Sequence, residues 1–181
     1  MKFYLLSILL SFLTSIGFAQ KLSEEESKLY NLIMEYRKEH NLPPIPISKS
    51  LTTVAQTHVN DLQTNHPNNE ACNLHSWSSK GKWSSCCYTS DHKQAACMWS
   101  KPREITSYKG NGFEIALEYF DIHGKGLLIS ASHALASWKK SPGHNALIIN
   151  EANWKKATWK AIGICLGEGY SVIWFGMEPD L

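Results

Sequence analysis

Past residue 20 the chain opens with apolar positions three and four apart. Leu29, Leu32, Ile33 and Tyr36 fall at i, i+3, i+4 and i+7, which predicts a helix with one buried face. Ser23 and Glu26 form a capping box at its start, and Asn41 followed by Pro43-Pro44 ends it. The segment Pro44-Ile45-Pro46-Ile47 reads as extended. A second helix follows, capped by Ser48 or Ser50, with Leu51, Val54, Ala55, His58 and Leu62 on one face. On that face His58 is expected as a packed core histidine and not a ligand.

From Asn65 the periodicity dissolves into polar and turn-forming residues, leaving a long aromatic loop at about 77–106. The stretch around Glu114 and Glu118 carries no decisive period; if helical, both carboxylates share a face, and either reads equally well as an exposed acid. A further helix starts near Ser130 or Ser132 with Ala134, Leu135 and Trp138 inward. It runs into Ser141-Pro142-Gly143, where Pro142 cannot continue it and Gly143 can take positive φ. Residues 146–149 form a short apolar helix. Residues 161–166 and 170–175 flank Gly167-Glu168-Gly169 as a hairpin. Helices in front and strands behind give an α+β class, with helices covering an antiparallel sheet.

Composition narrows the setting. Lys2, the apolar run 3–18 and Gly17-Phe18-Ala19 read as a signal peptide over 1–19, leaving one domain over 20–181 in a secreted, extracellular or periplasmic compartment. No later segment is long and apolar enough to span a bilayer. The net charge of +2 is spread along the chain, which argues against a nucleic-acid partner. Five cysteines in an exported chain imply two bridges and one thiol. Cys72, Cys86, Cys87 and Cys97 cluster, so the bridges are expected among them as Cys72–Cys86 and Cys87–Cys97. Cys165 lies in a strand-like apolar run and is expected to be reduced and buried.

His144 follows the Ser-Pro-Gly turn, at or near a helix N-terminus whose positive end disfavours imidazolium. A neutral ring there can accept a proton or bind a metal; a plain capping histidine is the alternative. His75 sits between Leu74 and Ser76-Trp77, either as a site residue or as a half-buried neighbour of Trp77.

Taken together, these segments resemble the CAP superfamily of cysteine-rich secretory, antigen 5 and pathogenesis-related 1 proteins. The resemblance lies in the Tyr36-Arg37 helix, the proline link, and Leu51-x-x-Val54-Ala55-x-x-His58. It continues through Asn73-Leu74-His75-Ser76, Gly112-Phe113-Glu114-Ile115-Ala116, Trp138-Lys139-Lys140-Ser141-Pro142-Gly143-His144 and the closing hairpin. It implies an α-β-α sandwich with a cleft lined by two histidines and two glutamates, here His75, His144 and Glu114. A gap-free match sets Phe113 at the family's first glutamate, and Ser141 stands at the second. The inserted cysteine-bearing loop is placed to cover the cleft.

Two functions follow. One is a secreted binding module whose cleft of His75, Glu114, Ser141 and His144 holds a divalent metal, a lipid, a small molecule or a protein. The other is a metal-dependent, protease-like hydrolase with Glu114 as general base and His75 and His144 holding zinc. The lack of an evident nucleophile or oxyanion donor favours the binding module.

Overall fold

The computed structural model describes residues 22–180, so the signal peptide expected over 1–19 lies outside the described residues. Helix α1 spans Glu24–Glu39 and α2 spans Lys49–Asn65. The capping box at Ser23 is formed, and Glu26 is buried because its other oxygen accepts the Leu166 N–H at 3.0 Å. Asn41 adopts φ 58°, and Ser48 caps α2 through the Leu51 N–H at 2.9 Å. Arg37 ties α1 to a distant helix end and the turn after it, donating to the Ile148 carbonyl at 2.6 Å and to Asn150 Oδ1 at 2.7 Å. Burial pulls its guanidinium pKa down to about 10.

Strand β1 covers Gly112–Glu118, β2 Ala161–Leu166 and β3 Tyr170–Gly176. They form one antiparallel sheet in the order β1-β3-β2. The helical option for the Glu114 stretch is therefore corrected: Glu114 pairs with Trp174 in a strand. Its first five residues are buried on both faces, which erases the alternation that marks a half-exposed strand.

Alternate strand residues feed two cores. Phe113, Ile115, Ile162, Ile164, Ile173 and Phe175 face α1, helix α5 (Ala131–Lys140) and helix α6 (Pro142–Ile148). Ala116, Ala161, Cys165, Val172 and Trp174 face α2 and the cysteine-bearing loop. The result is the α-β-α sandwich. Helix α2 sits so close that a Cβ at Gly163 would overlap the Leu51 and Thr52 backbone.

Both sheet edges carry contacts. On β1, Trp138 Nε1 donates to the Ala116 carbonyl at 3.2 Å. On β2, the Ile162 N–H donates to the Pro46 carbonyl at 3.0 Å, and its carbonyl accepts from the Ser48 N–H at 2.8 Å.

The loop expected at 77–106 is more ordered than its sequence suggests. It holds helices α3 (Ala95–Trp99) and α4 (Lys101–Ile105), each too short to show a helical period. Its bridges join Cys72 to Cys87 and Cys86 to Cys97, which corrects the expected pairing. Neighbours on an extended chain point to opposite sides. Cys86 exchanges backbone hydrogen bonds with Trp77 and turns into the core, while Cys87 turns out toward Cys72. Cys165 is free and buried, as expected. Burial, with the Glu26 charge second, pushes its thiol up to about 12.

Candidate functional site

The site is built outward from one carboxylate. β1 places Glu114 on the sheet face covered by α2, where its side chain is 0% exposed. A buried carboxylate needs partners on both oxygens, and two histidines supply them. His58 Nδ1, from α2, lies 2.5 Å from Oε2, and His75 Nδ1 lies 2.7 Å from Oε1. Burial alone would raise the Glu114 pKa, but the His58 charge and the hydrogen bonds from both rings outweigh it and hold the group below the usual carboxylate range.

That ionised group fixes the rings. His75 must donate from Nδ1, which leaves Nε2 as the nitrogen able to accept from outside. His58 faces acceptors at both ends, since its Nε2 lies 2.9 Å from the Ser76 carbonyl. Its ring also stacks on Trp77, with centroids 4.1 Å apart and planes 9° from parallel. The Ser76 contact is useful in a second way. It anchors the backbone one residue from His75.

His75 is carried by a short segment braced against the disulfide loop. The Asn73 N–H donates to the Tyr88 carbonyl at 2.8 Å, and the Tyr88 N–H donates to Ser76 Oγ at 2.9 Å. The Tyr88 ring lies 5.1 Å from that of His75, and its hydroxyl meets His92 Nδ1 at 3.0 Å. Burial first, and then the Glu114 charge, raise the Tyr88 pKa. The inserted loop thus supplies one wall of the site.

His144 arrives from the other side of the sequence. Ser141 ends α5 and precedes α6, Pro142 takes the first helical position, and His144 follows in the first turn. Gly143 is helical and does not adopt the positive φ expected of it. The structure brings His144 and His75 together, with ring centroids 6.4 Å apart and planes at 77°. The His144 pKa falls to about 4, first through burial and next through the His75 charge, with Glu114 opposing. The helix end expected to depress it is not the main cause. Ser141 is partly buried and makes no capping hydrogen bond.

Two expectations change in this arrangement. Glu114 does not line a cleft as a free carboxylate: it stands behind His75, with both oxygens engaged. His58 is a core residue, as its helical face implied, but it also braces that carboxylate. Only its partner, 56 residues away, reveals this. Among the described residues no group of three or more His, Cys, Asp or Glu is arranged to hold a metal ion. With Glu114 committed, His75 Nε2 and His144 are two donors, one short of the three protein ligands of a catalytic zinc. The residues present do not fit that group.

A profile described as CAP, the cysteine-rich secretory protein family, matches residues 30–156. No curated protein matches the chain. Among solved structures, an outer surface protein of Borrelia burgdorferi superposes with a TM-score of 0.57 at 19% identity, over 86% of this chain and 94% of that one. An extracellular protein containing an SCP domain from Bacillus anthracis gives 0.57 at 17% identity, over 85% of this chain and 40% of that one. A cysteine-rich secretory protein of Staphylococcus aureus gives 0.53 at 14% identity, over 85% and 39%. The chain thus spans well under half the length of the latter two, and all three likenesses are of fold.

Proposed function

The chain belongs to the CAP, or cysteine-rich secretory protein, family, and from that premise we propose that it is an exported binding module. Its ligand engages His75 and His144 without turnover, within one domain over 20–181 that includes the disulfide loop. Two disulfides, together with neighbours titled as extracellular and outer-surface proteins, support a place outside the cell. Among the described residues no helix is long and apolar enough to cross a membrane.

The observation that carries the reading is the commitment of Glu114. A general base must reach the proton it abstracts, and this carboxylate is 0% exposed with a histidine on each oxygen. What remains for a ligand is His75 Nε2 as an acceptor, the neutral ring of His144, and the Tyr88 wall. The neutral His144 ring can donate from one nitrogen and accept at the other, which suits an uncharged polar group such as a hydroxyl or an amide.

The test has two arms. Mature protein is incubated with casein and with p-nitrophenyl esters, with and without added zinc, beside Glu114→Gln. No hydrolysis above that variant is expected. In parallel, histidine-ring resonances are followed by NMR during titration with short peptides, fatty alcohols and fatty amides, with His144→Ala as control. Shifts of the His75 and His144 rings are expected from at least one class. Turnover that disappears in Glu114→Gln would restore the hydrolase. Absence of any ring shift would remove the cleft as the binding site.

A further inference from the structure

The register of the sheet defines two ends of the molecule. At one, Gly112 of β1 and Ala161 of β2 both lie opposite Gly176 of β3. At the other, Glu118 of β1 lies opposite Tyr170, and Leu166 of β2 opposite Ser171. The two ends differ in the sign of their charge.

The end at Glu118 is acidic. Glu118 and Glu168, in the β2–β3 turn, are both exposed there. The hairpin over 119–128 is tied to that turn: the Tyr119 N–H donates to the Gly169 carbonyl and the Gly169 N–H to the Leu127 carbonyl, both at 2.9 Å. This hairpin adds Asp121, whose carboxylate accepts the Lys125 N–H at 2.9 Å, and the Lys125 side chain. The first turn of α1 adds Glu24, Glu25 and Glu26, with Lys28 beside them. Its position is fixed by two contacts, Glu26 with the Leu166 N–H at 3.0 Å and Glu25 with the Ala131 N–H at 2.8 Å. Among the described residues, six carboxylates thus stand with two lysines.

The end at Gly112 is basic. Lys160 leads into β2, and its N–H donates to the Gly176 carbonyl at 2.8 Å. Lys49 opens α2 beside Ile47, which bridges to Ile162. Lys109 lies in the loop before β1, where the Tyr108 hydroxyl meets the Glu178 backbone and Arg103 donates to Asn111. Lys155 and Lys156 follow Trp154, whose ring packs on Phe113 with centroids 5.0 Å apart. All six bases are exposed, and none forms an ion pair among the described residues. Three carboxylates stand with them: Glu151, Glu178 and Asp180, the last accepting from Ser48 Oγ at 2.7 Å and the Ser50 N–H at 2.8 Å. Lys101 and Glu104 pair with each other and cancel.

Exposed apolar side chains follow the same division. The large ones are Phe120, Ile122 and Leu128 at the acidic end, and Ile47 and Met177 at the basic end. Single apolar residues scattered on a surface are ordinary. Here every one of them falls at an end of the sheet, inside a field of one sign.

We propose that the acidic end of one molecule docks on the basic end of a second copy, with Ile122 and Leu128 set against Ile47 and Met177. Charge selects this occupant. An acidic apolar surface complements a basic apolar one and repels its own kind, so the contact runs head to tail and is not two-fold. Each molecule keeps one free end, so association grows with concentration and does not close at a dimer. A contact confined to one end of a small domain falls in the weak, transient class. It does not rest on the cleft of His75 and His144.

The experiment is sedimentation equilibrium of the mature protein, from about 10 μM to about 1 mM. The weight-average mass of wild type is expected to climb with concentration, and added salt to suppress the rise. Lys109→Glu, Lys160→Glu removes the charge balance of the basic end, and Glu118→Lys, Glu168→Lys that of the acidic end. Each double variant alone is expected to associate at least about tenfold more weakly than wild type. Mixed in equal parts they are expected to regain a one-to-one contact, because each still carries one untouched end. That recovery also shows both variants to be folded. Ile122→Asn, with an unchanged melting temperature, is expected to weaken association, and the His75→Ala, His144→Ala double variant to associate as wild type does. Wild type that stays monomeric at about 1 mM, or a mixture no stronger than its components, overturns the proposal. So does association that survives either charge reversal, which would place the contact between copies elsewhere.

Discussion

His58 Nδ1 and Glu114 Oε2 approach to 2.5 Å with neither side chain exposed to solvent. The contact joins α2 to β1 and places a buried charge between two imidazoles. Removing one partner of such a pair strands the other, which typically costs about 3–5 kcal/mol. His58→Leu should therefore destabilise the domain by that amount in urea denaturation. Adding Glu114→Gln should return part of the loss, giving a coupling of at least about 1 kcal/mol in a double-mutant cycle. Additive effects would show that the contact carries no energy of its own.

Stability should fall with acid through His144. Its folded pKa of about 4 lies below the ordinary 6.5, so as pH drops the unfolded chain takes up this proton first. The stabilisation is whole above pH 6.5 and is lost progressively toward pH 4, amounting to no more than about 3 kcal/mol. Glu114 acts in the same direction at lower pH, since its folded pKa is depressed. Urea midpoints measured across that range should slope for wild type and flatten in His144→Phe. An equal slope in both would assign the acid sensitivity elsewhere.

Two glycines should respond oppositely to alanine. Gly143 is helical, and a Cβ there meets nothing within 4 Å, so Gly143→Ala should add about 0.5–1 kcal/mol. Gly163→Ala drives a methyl into the Leu51 and Thr52 backbone, which cannot swing aside as a side chain can. It should cost about 3 kcal/mol or more. Thermal melts of the two variants test both signs at once.

Peptide mapping under non-reducing conditions should recover Cys72 with Cys87 and Cys86 with Cys97, while Cys165 reacts with alkylating reagents only after unfolding. A map that pairs Cys72 with Cys86 would move Tyr88 and loosen the wall beside His75.

Much of the frame was legible because it is local. Ser23 and Glu26, Asn41, Ser48 and the Gly167-Glu168-Gly169 turn act within a few residues, and α1, α2 and the β2–β3 hairpin follow from them. β1 hid because burial on both faces removed its period. α3 and α4 hid because five residues cannot display one. At the site, the meeting of His75 with His144 was readable only through a family likeness. The Glu114 bridge to His58 was not readable at all, since a helix face says that a residue is buried and nothing about what it touches. The depression of His144 was expected, but for the wrong reason: a helix end is visible in sequence, whereas burial beside His75 is a property of the assembled sandwich.

A three-stranded sheet has two open sides, and each is an invitation to another extended chain. Here each edge is partly occupied. On β1 the Ala116 carbonyl is occupied by the Trp138 indole N–H. On β2 the outward groups of Ile162 are taken by the Pro46–Ser48 segment, and that of Leu166 by Glu26. An extended peptide would have to displace these contacts before it could lengthen the ladder at Ala116, Ile162 or Leu166.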